Sequence, residues 1–188
     1  GIMTTAGNIN INDDGDGERD SLTIIQTGLT RSDVYVTGIN ANTGVNVTNC
    51  DIAINIAGLN KAQDYDCYPR YGIIVSNNTT YINGSASLDI DIAETRRGAS
   101  GVVRGLHLDT TGNIDINIYD AYIEDNNVGK NLSAVDGINI TKSGNVSLSA
   151  INDKAIDGTL FIGENSGTVT FKGSIRCGSN ENQYIQYK

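Results

Sequence analysis

One short phrase recurs along this chain and limits its folding more than any other feature. It is a small or polar residue, a glycine, a polar residue, and then aliphatics that alternate with polar residues. It reads Ala6-Gly7-Asn8-Ile9-Asn10-Ile11 and Thr43-Gly44-Val45-Asn46-Val47. It returns as Asn83-Gly84-Ser85-Ala86-Ser87-Leu88-Asp89-Ile90 and Thr111-Gly112-Asn113-Ile114-Asp115-Ile116. The last copies are Ser143-Gly144-Asn145-Val146-Ser147-Leu148 and Ser166-Gly167-Thr168-Val169-Thr170-Phe171. The glycines recur at intervals of 23 to 40 residues. A second phrase precedes most copies: Gly72-Ile73-Ile74-Val75, Gly105-Leu106-His107-Leu108 and Gly137-Ile138-Asn139-Ile140, with looser forms at Gly38 and Gly158. A third apolar patch falls in the return, as at Ala121-Tyr122-Ile123 and Lys154-Ala155-Ile156.

Alternation with period 2 is the signature of a strand with one buried and one wet face. It places Ile114, Ile116 and Ile118 on one side and Asp115 and Asn117 on the other. A strand of five or six residues cannot bury its apolar side alone. Stacking equivalent strands about 4.8 Å apart merges those sides into one core. The composition agrees. Ile plus Val number 36 against 10 for Leu plus Met, a β-branched excess that favours strands over helices. The 22 Gly and 23 Asn supply residues for tight corners, and there is a single Pro. The expected fold is all-β, a single-stranded parallel β-helix (solenoid). At ~20–40 residues per coil, the 188 residues make about six or seven coils. The alternative is a β-sandwich of short alternating strands, which gives no reason for the same glycine phrase to return.

The chain reads as one domain, 1–188, with an acidic first coil or cap at 1–21 and a C-terminal cap at 176–188. The opening Gly1-Ile2-Met3 resembles neither a signal peptide nor a native start, which is compatible with a piece of a longer protein. With 13 basic and 22 acidic residues the net charge is −9, which argues against nucleic acid as a partner. No stretch reaches the ~18 apolar residues of a membrane span.

The coils, from Gly7 to about Ile175, resemble the right-handed parallel β-helix family, the pectate-lyase-like superfold. The phrases at 137–140 and 143–148 also resemble the degenerate repeats of secreted and surface proteins of gut and cellulolytic bacteria, some of which bind plant cell-wall polysaccharide. Phage tailspikes that recognise bacterial surface sugars share the coil. The resemblance implies an extracellular or cell-surface location and a polysaccharide, a surface glycan or a protein as partner.

Enzymes of this family would show particular constellations. The Asn-Thr-Asp, Gly-His-Gly and Arg-x-Lys elements of the polygalacturonase type do not occur here in full. A lyase would need acidic calcium ligands beside an Arg base. Asp89 and Asp91, followed by Arg96, Arg97 and Arg104, are the candidates, and the competing reading is a solvated strand face. The segment Asn12 to Glu18 is dense in hard oxygen ligands, so Asp13, Asp14, Asp16 and Glu18 are the calcium candidates. The bidentate acid of an EF-hand loop is missing, because Thr23 stands in its place. Cys50, Cys67 and Cys177 lack Cys-x-x-Cys spacing. A Cys50–Cys67 bridge and a buried free thiol both remain open.

Sugar rings stack on aromatic faces, and Tyr combines such a face with a hydroxyl. Tyr65, Tyr68, Tyr71 and Tyr81 cluster around the longest return, which also holds Arg70. His107 alternates with Leu106 and Leu108 and so points outward. These six are the carbohydrate-binding candidates. The leading functional expectation is a non-catalytic secreted or surface module that binds carbohydrate or acts as an adhesion stalk. A small calcium-dependent polysaccharide lyase and a phage tailspike segment are the alternatives.

Overall fold

The computed structural model describes residues 1–27, 36–57, 70–76, 79–93, 101–119, 133–176 and 185–187. These hold fifteen strands and no helix. In chain order they are β1 (Ile2–Met3), β2 (Asn8–Asn12), β3 (Ser21–Gln26), β4 (Val36–Ala41), β5 (Gly44–Thr48), β6 (Asp51–Ile56), β7 (Arg70–Val75) and β8 (Thr80–Gly84). They continue as β9 (Ser87–Ala93), β10 (Gly101–Thr110), β11 (Ile114–Tyr119), β12 (Ser133–Lys142), β13 (Val146–Asn165), β14 (Val169–Arg176) and β15 (Ile185–Tyr187).

All fifteen belong to one curled sheet, and every pairing in it is parallel. The pairings form three ladders. The first runs through β1, β4, β7, the leading halves of β10 and β12, the middle of β13 and the end of β14. The second runs through β2, β5, β8, the trailing parts of β10, β12 and β13, and β15. The third joins β3, β6, β9, β11 and the starts of β13 and β14. The all-β, repetitive reading of the sequence therefore holds as a large parallel sheet with a solenoid-like curl.

Because the register is constant, apolar residues stack in columns. One column is Ile24, Ile54, Ile90, Ile116, Leu148 and Phe171. Another is Ile2, Ile39, Ile73, Val103, Val135, Ile156 and Ile175. The buried members form a single hydrophobic cluster. Each fully buried Ile contributes about 1.5–3 kcal/mol relative to exposure. The expected parity is observed. Leu88, Ile90 and Ile92 are buried, while Asp89 and Asp91 face outward. Lys154-Ala155-Ile156 lies on the first ladder, with Ile156 in one column with Ile39 and Ile73 of the second phrase, and Ala121-Tyr122-Ile123 lies outside the described residues.

The corners explain the glycine and asparagine excess. β10, β12 and β13 each bend from the first ladder to the second at Gly105, Gly137 and Gly158, with φ of 54°, 79° and 120°, a region that side-chain-bearing residues avoid. At the next corner Gly112, Gly144 and Gly167 stack. The Gly144 N–H donates to the Gly112 carbonyl at 3.0 Å, and the Gly167 N–H to the Ser143 carbonyl at 3.0 Å. Asparagine side chains bridge neighbouring layers there. Oδ1 of Asn113 accepts from the Asn145 N–H (2.9 Å), and Oδ1 of Asn145 from the Thr168 N–H (3.2 Å). This satisfies backbone donors that a turn would otherwise leave unpaired.

The structure revises both phrases of the repeat: Gly38 and Gly72 of the second phrase lie on the first ladder, while Gly105, Gly137 and Gly158 lead into the second. The six copies of the glycine phrase are not equivalent positions. Gly7 and Gly44 stand before the second ladder, with Gly44 opposite Asn8. Gly84, Gly112, Gly144 and Gly167 stand before the third. The phrase encodes only a tight corner followed by a half-buried strand, and more than one corner meets that description.

Candidate functional site

The outward side of the second ladder collects the most distinctive surface row. Asn10, Asn46, Tyr81, His107, Asn139 and Phe161 lie opposite one another in register on β2, β5, β8, β10, β12 and β13. Each has the parity opposite to a buried column, so backbone alternation alone turns it outward. The Tyr81 and His107 rings are half-buried and tilt against each other, with centroids 5.3 Å apart and planes at 51°. That spacing follows from parallel strands about 4.8 Å apart. Below them Nδ2 of Asn46 donates to Oδ1 of Asn10 at 2.8 Å. The row thus offers two amides, two rings, an amide and a third ring.

The other carbohydrate candidates lie elsewhere. Tyr71 shares the parity of Ile73 and Val75 and is only 5% exposed, so its ring is packed inward and is not on the wall. Arg70 opens β7 opposite Val36. Tyr65 and Tyr68 lie outside the described residues. Of the six candidates, the structure brings together Tyr81 and His107. Phe161 and the amides of the row escaped the sequence reading, which weighed aromatic clusters along the chain instead of residues opposite one another in register.

The third ladder carries an acidic wall. Asp89 faces Asp115, and Asp91 faces Asn117. Nδ2 of Asn117 donates to Oδ1 of Asp115 at 2.9 Å and to Oδ1 of Asp91 at 3.2 Å. Partial burial, then the charges of Asp91 and Asp115, push the Asp89 carboxyl above the ordinary carboxylate range. The Tyr119 hydroxyl is raised as well, by desolvation first and then by the charge of Asp91. Towards the corner, Nε of Arg19 donates to Oδ2 of Asp51 at 2.6 Å, and the Ser87 hydroxyl donates to Asp51 as well. The Arg19 hydrogen bond outweighs burial and holds the Asp51 carboxyl below its usual value. An open groove of about 440 Å³ runs between this pair and Asp89, Asn113 and Asp115.

Arg104 is not part of that wall. It lies on β10 opposite Asp136, and Asp136 in turn lies opposite Asp157. Asp157 accepts from Nζ of Lys154 at 2.8 Å and from Nε of Arg176 at 2.9 Å. Burial opposes ionisation of Asp157, and the two cations overcome it and lower its pKa. The surrounding chain costs the Asp136 carboxylate solvation and raises its pKa, although part of its surface stays exposed; Arg104 acts in the opposite direction. The lyase candidates Asp89 and Asp91 are thus separated from Arg104 by ladder. Arg96 and Arg97 lie outside the described residues.

The acidic loop between β2 and β3 closes on itself. The Asp14 N–H donates to Oδ2 of Asp20 at 2.9 Å, and the Asp13 and Asp14 side chains cap Gly15 and Asp16 at 2.8 and 3.0 Å. Carboxylate oxygens of Asp13, Asp14 and Asp20 come within 4.8 Å of one another, so these three have the donor chemistry for a hard cation. Asp16 and Glu18 are not in that group, and Oδ1 of Asp16 accepts from the Glu18 N–H instead. Asp20 joins the group because the loop folds back, which spacing within the acidic run did not show. Cys50 is a buried free thiol beneath this loop. Burial, then the charge of Asp20, pushes its pKa up. Cys67 and Cys177 lie outside the described residues.

No helix is long and apolar enough to cross a membrane among the described residues. The chain matches no protein-family model, no curated protein and no solved structure.

Proposed function

We propose that this chain is a single-stranded parallel β-helix of six or seven coils, displayed outside the cell, whose second wall binds neutral glycan without catalysis. The three in-register ladders support the coil reading, since the chain visits them in the same order on each pass. One observation carries the binding reading: Tyr81 and His107 stand ring against ring in an outward row, with amide side chains on both sides and Phe161 beyond. Apolar C–H faces of a pyranose stack on such rings, and the amides of Asn46 and Asn139 can both donate to and accept from its hydroxyls. A chain of sugars laid across the strands would meet one residue of the row per layer. The net charge of −9 disfavours polyuronates and favours neutral polysaccharides.

Glycan-array screening followed by calorimetric titration tests this. Neutral polysaccharides are expected to bind with or without calcium, and polyuronates are not. Tyr81→Ala and His107→Ala should each weaken binding about tenfold while the circular dichroism spectrum is unchanged. Absence of any neutral glycan ligand, or full affinity in Tyr81→Ala, would overturn the proposal. Release of unsaturated uronate from pectin or alginate would instead show a lyase.

A further inference from the structure

Among the described residues, the apolar columns run to both ends of the curled sheet without changing character. At one end β1, β2 and β3 each pair with a single neighbour, β4, β5 and β6, among the described residues. Among the described residues, no strand pairs with their outer edges. At the other end β14 pairs, among the described residues, with β13 alone. An uncovered edge next to apolar side chains is a template for another strand. Ile2 and Leu22 are only partly covered at the first end, as are Val169 and Phe171 at the second. Ile175 is 39% exposed, although its column partners Ile156 and Val135 are fully buried.

The two ends are complementary in three respects. Both are edges of parallel ladders, so one can extend the other with the same strand polarity and hydrogen-bond pattern. Their columns end in the same chemistry: Val169 would sit over Leu22, Phe171 over Ile24 and Ile175 over Ile2, repeating the apolar layers seen inside the chain. Their charges are opposite. Residues 1–27 carry five carboxylates and one arginine, and β14 carries the exposed Lys172 with no acid, its Arg176 being paired with Asp157 of β13.

We propose that copies of this chain associate head to tail, with β14 of one molecule adding in parallel to β3 and β1 of the next. Such a contact is heterologous, because it uses a different surface on each partner. It leaves a free end after every addition, so growth continues beyond a dimer. Association would line up the second walls of successive copies and present several Tyr81–His107 rows to one polymer.

Sedimentation velocity over a concentration series reads the assembly. The expected result is a weight-average mass that rises with concentration without levelling at the dimer. Lys172→Glu, an exposed change outside every buried column, should weaken association roughly fivefold and leave the fold intact. Register is read by mixing Thr23→Cys with Thr170→Cys, whose side chains face outward on β3 and β14. Oxidation should give a cross-linked pair in the mixture and not in either variant alone, with the wild type as blank. A monomer at every concentration overturns the proposal, and edge amides of β3 protected from hydrogen exchange in that monomer would show that this chain's own flanking segment covers the end. A closed dimer linked Thr23→Cys to Thr23→Cys would overturn it too.

Discussion

At the scale of single residues, the corners are the least forgiving positions. A Cβ at Gly144 would sit 2.7 Å from the Gly112 carbonyl oxygen and 2.8 Å from that of Thr111. Both are backbone atoms held in the ladder, so they cannot yield cheaply. Gly144→Ala is expected to cost about 1–3 kcal/mol, the range for forcing an extra methyl into a packed site. Urea unfolding measures this, and an unchanged midpoint would show that the corner is loose. The aromatic pair behaves differently. Tyr81 and His107 face outward, and their loss should be felt in ligand affinity more than in stability. Parity made His107 legible in the sequence as an outward residue. The same rule, applied from Ile73, would have turned Tyr71 inward.

At the scale of elements, the polar faces of β9 and β11 set the response to pH. The raised Asp89 carboxyl is more acidic in the unfolded chain than in the folded one. Its ionisation therefore subtracts from stability at pH values above its folded pKa. The penalty fades as pH falls through that value and vanishes below the ordinary carboxylate range, about 4. Asp89→Asn should then raise the melting temperature at neutral pH and leave it unchanged near pH 3, a contrast that scanning calorimetry at the two pH values checks. Asp51 works in the other direction. Its depressed pKa contributes stability above the unfolded value, and that contribution is lost as the solution is acidified. Both effects are moderated by solvent, since these carboxylates lie at the surface.

At the scale of the whole molecule, layers touch only their neighbours, so stability is distributed along the stack. A layer in the middle, such as the one with Ile90, has a partner above and below, and an end layer has one. In dilute protein, hydrogen exchange should therefore be slowest in β6, β9 and β11 and fastest in β1, β3 and β14. Uniform protection from end to end would show that the molecule opens only as one unit. Head-to-tail association should slow exchange at both ends as concentration rises.

The alternation of Ile and Val with Asn, Asp and Ser determined by itself that this chain makes short strands, which side of each is buried, and that the strands must stack. That follows because side-chain parity is a local steric property of extended backbone. The tertiary structure alone decided which strands lie opposite one another. It assigned Gly7 and Gly44 to a different corner from Gly84, Gly112, Gly144 and Gly167. It placed Arg104 opposite Asp136 and away from Asp89 and Asp91, folded Asp20 back to Asp13 and Asp14, and set Tyr81 against His107 across 26 residues. Register between strands so far apart depends on how each return closes and on which columns fill the core, and a repeated phrase that marks more than one corner cannot encode that choice.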